Sequence, residues 1–239
     1  MSRKPTLKPA SGRRNSVLDL ASLSLRQINQ LLHDTKSGDF LIENPRGAHA
    51  LACGLDAPLS VTIDGHVGYY CAGMNKRATV IINGNAGTGV AENMMSGRVH
   101  VKGDTSQSAG ATACGGLLII DGNASARCGI SLRGLDIVVK GSVGHMSAFM
   151  AQAGSLVVLG DAGDALGDSI YEAKLFVRGT VQSLGSDCVE KKMHNKHKAA
   201  LAKLLEAAGL SGTVDIGEFK RYGSARRLYN FHIDNLGAY

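Results

Sequence analysis

The stretch VTIDGHVGYYCAGMNKRATVIINGNAGTGVAENMMSGRVHVKGD, residues 61–104, contains the same short pattern three times. Each copy consists of a β-branched residue, a variable residue, a second β-branched residue, a polar residue and a glycine. The glycine then continues along the chain at a constant spacing of 19 residues, at Gly65, Gly84, Gly103, Gly122, Gly141, Gly160 and Gly179. A spacing kept this regularly indicates an internal structural repeat.

The repeat unit is typical of one coil of a parallel β-helix. Residues four and two positions before each glycine are β-branched or leucine, so they point to one side of a short strand. Seven positions after each glycine stands a small residue, which indicates a tight corner or a narrow interior. A unit of 19 residues is too short for a strand–helix–strand unit but suits a coil bonded to its neighbours about 4.8 Å away. We therefore predict an all-β fold, a single-stranded right-handed parallel β-helix of about seven 19-residue coils over residues 58–187, with short helices at both ends.

An outward-facing stripe accompanies the strands, three positions before each glycine. Five of its seven members are apolar where a solvated face should be polar: Thr62, Ile81, His100, Ile119, Val138, Val157 and Phe176. Exposed apolar stripes of this size are uncommon on monomers, so we expect the stripe to be covered. The cover is either the chain's own N- or C-terminal arm or a partner subunit.

The N-terminal flank divides into a tail and a segment that leads into the repeat. Residues 1–16 contain five Lys or Arg and no acid, which is typical of a disordered basic tail. In residues 17–57, Ser24 and Gln27 match a capping box and Leu25, Ile28 and Leu32 give a short helix one apolar face.

The C-terminal flank, residues 188–239, is expected to contain a helix and a docking arm. Apolar residues at helical spacing predict a helix over residues 189–208, ended by Gly209. Asp215 and Glu218 indicate a second, short capped helix. The segment from Tyr222 onward is rich in Tyr, Phe and Arg without periodicity, as expected of an extended arm.

Composition excludes several classes of function. The formal net charge is +6, but the tail supplies five of these charges, and residues 56–187 contain nine Lys or Arg against eleven Asp or Glu. A nucleic-acid partner is therefore not expected. Without an apolar run of 18 residues or a signal peptide, we expect no membrane contact and a cytoplasmic location. The five cysteines form no CxxC pair and are expected to be free buried thiols, and no catalytic, cofactor-binding or metal site is predicted in this chain.

Several long stretches resemble a known family. DGHVGYYCAGMN (64–75), GNAGTGVAENMMSG (84–97), GSVGHMSAFMAQAG (141–154) and the ending RYGSARRLYNFHIDNLGAY (221–239) are similar to the GXGXG domain that closes the large subunit of glutamate synthase. They resemble most the stand-alone form of that domain, as in the β-helical, glutamate synthase-like subunit of N-methylglutamate synthase and in the related GlxC family. The resemblance covers nearly everything from about residue 17 onward.

The resemblance implies a subunit of an enzyme complex rather than an enzyme in itself. In such an FMN-dependent N-methylglutamate synthase (methylamine–glutamate N-methyltransferase), this chain would be a non-catalytic scaffold in a hetero-oligomer. It would bridge an amidotransferase-like subunit and an FMN-binding, glutamate synthase-like subunit that also carries an iron–sulfur cluster. FMN and the cluster are thus expected in a partner and no cofactor in this chain.

The partner interface is expected at three places: the apolar stripe, the methionine-containing corners and the C-terminal arm. The residues are Ile119, Val138, Val157, Phe176, Met94, Met95, Met146, Tyr229, Phe231 and Tyr239. Two alternatives remain open. One is the β-helical subunit of a formylmethanofuran dehydrogenase or formyltransferase/hydrolase complex, whose GxxGxxxG pattern begins at Gly65/Gly68 and Gly84/Gly87 but lacks its third glycine in register. The other is a stand-alone β-helix enzyme or binding protein.

Overall fold

The computed structural model describes residues 16–228, which form a single parallel β-solenoid of about seven turns. Its strands belong to one sheet, and its two helices lie in the flanks, between β1 and β2 and between β10 and β11. The strands are β1 (Ser16–Asp19), β2 (Gly38–Glu43), β3 (Leu59–Asp64), β4 (Thr79–Ile82), β5 (Arg98–Val101), β6 (Leu117–Ile120), β7 (Arg133–Val139), β8 (Ala153–Val158), β9 (Lys174–Val177), β10 (Cys188–Lys191) and β11 (Lys220–Ser224). The helices are α1 (Leu25–Asp34) and α2 (Asn195–Ala207).

The register between neighbouring strands reproduces the 19-residue spacing. Val61 pairs with Val80, and Val80 pairs with Val99, in parallel ladders that continue in the same register to Leu175 in β9. A second column of parallel bridges, from Val67 to Val181, runs along another side of the coils at the same spacing. The predicted β-helix is therefore confirmed.

The interior of the coils is apolar and narrow. The paired strand residues before each glycine are buried and form one continuous core from Leu18 to Tyr222. The small residues at the corner are required by space, because a Cβ atom at Gly110 would lie 2.8 Å from Cδ1 of Ile137 and 2.9 Å from Cδ2 of Leu135. The predicted narrow interior is thus present.

The repeated glycine is explained by close stacking of backbones. A Cβ atom at Gly141 would lie 2.7 Å from the carbonyl oxygen of Gly122, and the amide of Gly141 donates to that oxygen at 3.0 Å. Gly84 meets Gly65 in the same way. Of the seven repeated glycines only Gly65 has a positive φ, so lack of space rather than backbone conformation explains the other six. Any side chain here would collide with the preceding coil.

The residue that follows each repeated glycine builds a ladder of side-chain acceptors. Asn85 Oδ1 accepts the amide of Asp104 at 2.9 Å, and Asp104 Oδ1 accepts the amide of Asn123 at 2.7 Å. The ladder continues through Ser142 and Asp161 to the amide of Thr180. These bonds satisfy backbone donors at a corner that no strand covers, which is the local side-chain bonding expected of Asx and Ser residues in turns.

The part of each coil that lies between the glycine corner and the next strand has left-handed backbone at alternate residues. In one coil Tyr70, Ala72 and Met74 have φ of 61°, 53° and 54°. Their amides bond alternately to the following and the preceding coil: Tyr70 to the carbonyl of Thr88, Ala72 to that of Leu51, and Met74 to that of Glu92. Non-glycine residues rarely adopt such φ values, and here the bonds to both neighbouring coils maintain them.

The N-terminal end of the sheet begins before residue 58. Strands β1 and β2 pair in parallel with each other, and β2 pairs with β3. The predicted first helix is confirmed as α1, with the capping box of Ser24 and Gln27 present and with Ile28 and Leu32 buried.

The C-terminal end closes with an antiparallel pair of strands, β10 and β11, which are separated in the chain by α2. Strand β11 pairs with β9 and with β10, so it caps the last coil. The predicted helix over residues 189–208 is wrong in its first part, because Val189 belongs to β10 and the helix begins only at Asn195. Its end is confirmed, with Gly209 at φ 76° directly after the cap. A 3-10 helix over Ile216–Glu218, capped by Asp215, replaces the predicted second helix.

Candidate partner interface

The apolar stripe is covered by the chain itself. Ile119, Val138, Val157 and Phe176 are fully buried, with no exposed side-chain surface. They form a second hydrophobic cluster, separate from the core, with Leu201, Leu205, Ala208 and Phe219 from α2 and the segment after it. Of the two covers left open by the sequence, the structure has the C-terminal segment. It therefore does not support direct contact between these four side chains and a partner, because α2 occupies that space.

The predicted corner methionines divide into buried and exposed residues. Met94 is fully buried in the core and Met146 is half-buried, whereas Met95 is 51% exposed. Met74, at 48% exposure, lies in the preceding coil, whose Asn75 carbonyl accepts the amide of Met95 at 2.8 Å. Met74 and Met95 together are called the methionine edge below. Flexible thioether side chains are common at adaptable binding surfaces, so this edge suits a protein contact.

The predicted arm residues Tyr229, Phe231 and Tyr239 lie outside the described residues. The chain leading to them is anchored at Asp187, whose carboxylate accepts the Ser224 hydroxyl at 2.5 Å and the Arg227 amide at 2.9 Å. Slight burial would raise the pKa of Asp187, but these hydrogen bonds outweigh it and hold the pKa below its usual value. Leu228, the last described residue, is half exposed.

The outer face of the sheet also carries a compact ion network. Asp121 Oδ1 lies 2.9 Å from Nε2 of His100 and 2.8 Å from Nζ of Lys140, and its Oδ2 lies 3.4 Å from Nζ of Lys102. Burial acts against the charged forms of both His100 and Asp121, lowering the pKa of His100. For Asp121 the bonds from Lys140 and His100 prevail over burial, so its pKa is lowered too. His100 is a member of the outward-facing stripe, so the network joins the stripe to the column of polar residues beside it.

Comparison with known proteins places these features in a family. No family model matches the chain. The chain is 62% identical over 227 residues to Protein GlxC of Rhizobium meliloti (strain 1021), an alignment that covers 93% of this chain and 99% of that protein. The chain belongs to the GlxC family. The similarity to this family expected from the sequence is thereby confirmed, and the near-complete coverage means that both flanks of the solenoid are part of the shared sequence.

Burial lowers the reactivity of four of the five cysteine thiols in this GlxC-family chain. Burial raises the pKa of Cys53 to about 11 and the pKa values of Cys128 and Cys188 to about 12, and it also raises that of Cys71. Nucleophilic attack and metal binding both require the thiolate, which these environments suppress. Cys114 differs in being exposed. Within residues 16–228 no group of three or more His, Cys, Asp or Glu could hold a metal ion.

One feature of the GlxC-family surface was not predicted from the sequence. Tyr69 is 60% exposed and stacks on His49, with ring centroids 4.5 Å apart. The residue type alone does not show which side chains are exposed where left-handed backbone alternates along the coil. Among the described helices, none is both long and apolar enough to cross a membrane.

Proposed function

We propose that this GlxC-family chain is a non-catalytic scaffold subunit of a glutamate synthase-like, FMN-dependent N-methylglutamate synthase complex. In this proposal the solenoid corresponds to the GXGXG domain and the chain to the β-helical member of that complex. It bridges an amidotransferase-like subunit and an FMN-binding subunit in the cytoplasm. The FMN and the iron–sulfur cluster belong to the partner, and this chain contributes neither a cofactor site nor a catalytic residue.

The observation that carries the proposal is the exposed methionine edge on a stack of coils joined by backbone hydrogen bonds. Backbone hydrogen bonds join each coil to the next on the strand side, at the glycine column and on the left-handed side. Such a stack keeps sites at its two ends at a set distance, and transfer of a small amine between active sites depends strongly on geometry. Met74 and Met95 expose flexible apolar side chains on this stiff body, and burying them against a partner subunit would stabilise the complex.

The test is purification of the tagged full-length chain from its native cells, followed by an absorption spectrum and an activity assay. The proposal expects two larger subunits to copurify, with flavin and iron–sulfur absorbance and methylamine-dependent formation of N-methylglutamate. Ammonia-dependent glutamate formation without use of methylamine would leave a glutamate synthase-like complex but overturn the methylamine assignment. A colourless chain that purifies alone would overturn the scaffold role.

A matched pair of variants tests the methionine edge itself. Met95→Glu places a charge in the expected interface, and copurification of at least one partner should fall about tenfold or more, as for a buried unpaired charge in an interface. Gln152→Glu is the control, because Gln152 is exposed and occupies the same position three coils further along. Equal recovery of partners with both variants would show that the methionine edge is not the contact.

A further inference from the structure

A cavity of about 360 Å³ lies where the last coil, the antiparallel pair of β10 and β11, and the start of α2 meet. Four elements contribute cations to its wall: Lys174 from β9, Lys191 from β10, Arg221 from β11 and Lys196 from α2. His194 and His197 complete this group. Among the described residues that line the cavity the one acid is Glu172, and it already pairs with Arg226 at 2.8 Å. The cavity is therefore strongly electropositive.

The fold holds these cations close together despite their repulsion. Lys191 and Arg221 are directly opposite in the antiparallel ladder of β10 and β11, an arrangement that is destabilising for like charges. Helix α2 begins with Asn195, Lys196 and His197 and has no acid in its first turn. The N-terminus of a helix carries partial positive charge, so cations here repel the helix as well as each other. An anion in the cavity would relieve both repulsions.

His197 lies close to the positive charges of Arg221 and Lys196. Its side chain is buried, and its Nδ1 accepts the amide of His194 at 3.2 Å. Burial first, and then the nearby charges of Arg221 and Lys196, lower the pKa of His197. Arg221 is held in place by its Nε donating to the carbonyl of Lys192 at 3.1 Å. The guanidinium is thus oriented before any ligand arrives.

Gly223 leaves open space in the cavity wall. A Cβ atom there would lie 3.7 Å from the carbonyl oxygen of Ala173, 3.9 Å from Cγ of Lys191 and 4.0 Å from Nη1 of Arg221, all ordinary contact distances. Unlike the glycines of the repeat column, Gly223 is not required by stacking. Its missing side chain leaves room between the two opposed cations.

We propose that this cavity is a binding site for phosphate, either free or as a small monoester. A phosphate monoester carries nearly two negative charges and three terminal acceptor oxygens, and free phosphate is likewise an anion with oxygens on all sides, which matches several cationic donors arriving from different directions. The Arg221 guanidinium suits a planar pair of oxygens, while each lysine acts as a mobile point charge. The proposal concerns this chain alone and does not depend on the scaffold role.

The experiment is calorimetric titration and thermal unfolding of the full-length chain with inorganic phosphate, at constant ionic strength maintained with sodium chloride. We expect a saturable rise in Tm and one site per chain, because a ligand that binds only the folded state stabilises it. Lys191→Gln and Lys196→Gln should each raise the Kd about tenfold, as for loss of one charged hydrogen bond. Lys192→Gln and Lys198→Gln are the controls, since each removes the same charge at a neighbouring residue outside the cavity wall.

A further variant fills the cavity from within. Gly223→Asp places a carboxylate between Lys191 and Arg221, so it should raise the Tm without phosphate and abolish the phosphate response. Tighter binding of glycerol 3-phosphate than of inorganic phosphate would identify a monoester as the ligand, and the reverse order free phosphate. A Tm shift no larger than with chloride, or one equal in the cavity variants and their controls, would overturn the proposal. So would binding of an acidic peptide without binding of phosphate.

Discussion

The packing of α2 on the apolar stripe predicts a large effect of truncating Phe176. Phe176 is fully buried in the cluster that the stripe forms with α2 and the segment after it, and it is the bulkiest of the stripe residues. Phe176→Ala removes the ring and leaves a cavity within this cluster. Substitutions of this kind cost about 3–5 kcal/mol. We therefore expect a loss of this size, either in global stability or in the attachment of α2.

Two measurements separate these possibilities. If the chain unfolds as one unit, Tm should fall by roughly 10 °C, given about 2–4 °C per kcal/mol for a chain of this size. If α2 detaches first, its amides should exchange roughly a hundred- to several thousand-fold faster than in the wild type, while the amides of the coils are unaffected. Tyr69→Ala is the control, because that ring is mostly exposed and only its stacking on His49 is lost, at a cost of no more than about 1.5 kcal/mol.

The result also decides which surface covers the stripe in solution. A cost below about 1 kcal/mol, with unchanged exchange in α2, would refute the packing described above, since a buried ring should cost several times more. It would mean that the helix does not rest on the stripe in the isolated chain, and that the four stripe residues are available to a partner after all.

Three further predictions follow from the glycine column, the ion network and the thiols. Gly141→Ala should prevent or severely destabilise folding because its Cβ would lie 2.7 Å from the preceding backbone, whereas Gly223→Ala, with 3.7 Å to its nearest neighbour, should fold normally by circular dichroism. The pKa of His100 is lowered from its ordinary 6.5, so the unfolded chain binds the proton more readily and stability is lost as the pH falls below about 6.5. The drop in Tm between pH 7.5 and 5.5 should therefore be smaller in His100→Gln than in the wild type. An equal drop in both proteins would contradict this. Iodoacetamide at pH 8 should modify native protein chiefly at Cys114, and rapid labelling of Cys128 would show that the core opens.

Most of the solenoid could be predicted because its repeat has a steric cause. Each repeated glycine lies against the backbone of the preceding coil, so the spacing in the sequence equals the length of one turn. The capping box at Ser24 predicted α1 for a similar reason, since its bonds are formed within four consecutive residues. Local constraints of this kind leave a clear mark in the sequence.

Features formed by distant pairings could not be predicted in the same way. Val189 fits the apolar spacing of a helix, yet it lies in a strand because β11, some 30 residues later in the chain, pairs with it. Lys174, Lys191 and Arg221 are far apart in the sequence, and only the pairing of β11 with β9 and β10 brings them to one cavity. The cover of the stripe depended likewise on where α2 packs, which left two alternatives open.

Departures from the perfect repeat make different parts of the solenoid chemically different. A perfect repeat would present the same surface on every coil and could not distinguish two unlike partners. Here the methionine edge lies just before β5, while the cationic cavity begins at β9, four coils later and about 19 Å along the axis. Helix α2 covers the stripe beside the later coils, and Thr62 and Ile81 remain only half-buried beside the early ones. The coils of β4 and β5 therefore offer apolar contact and the C-terminal end a cationic cavity, the asymmetry that the proposed bridge between different subunits requires.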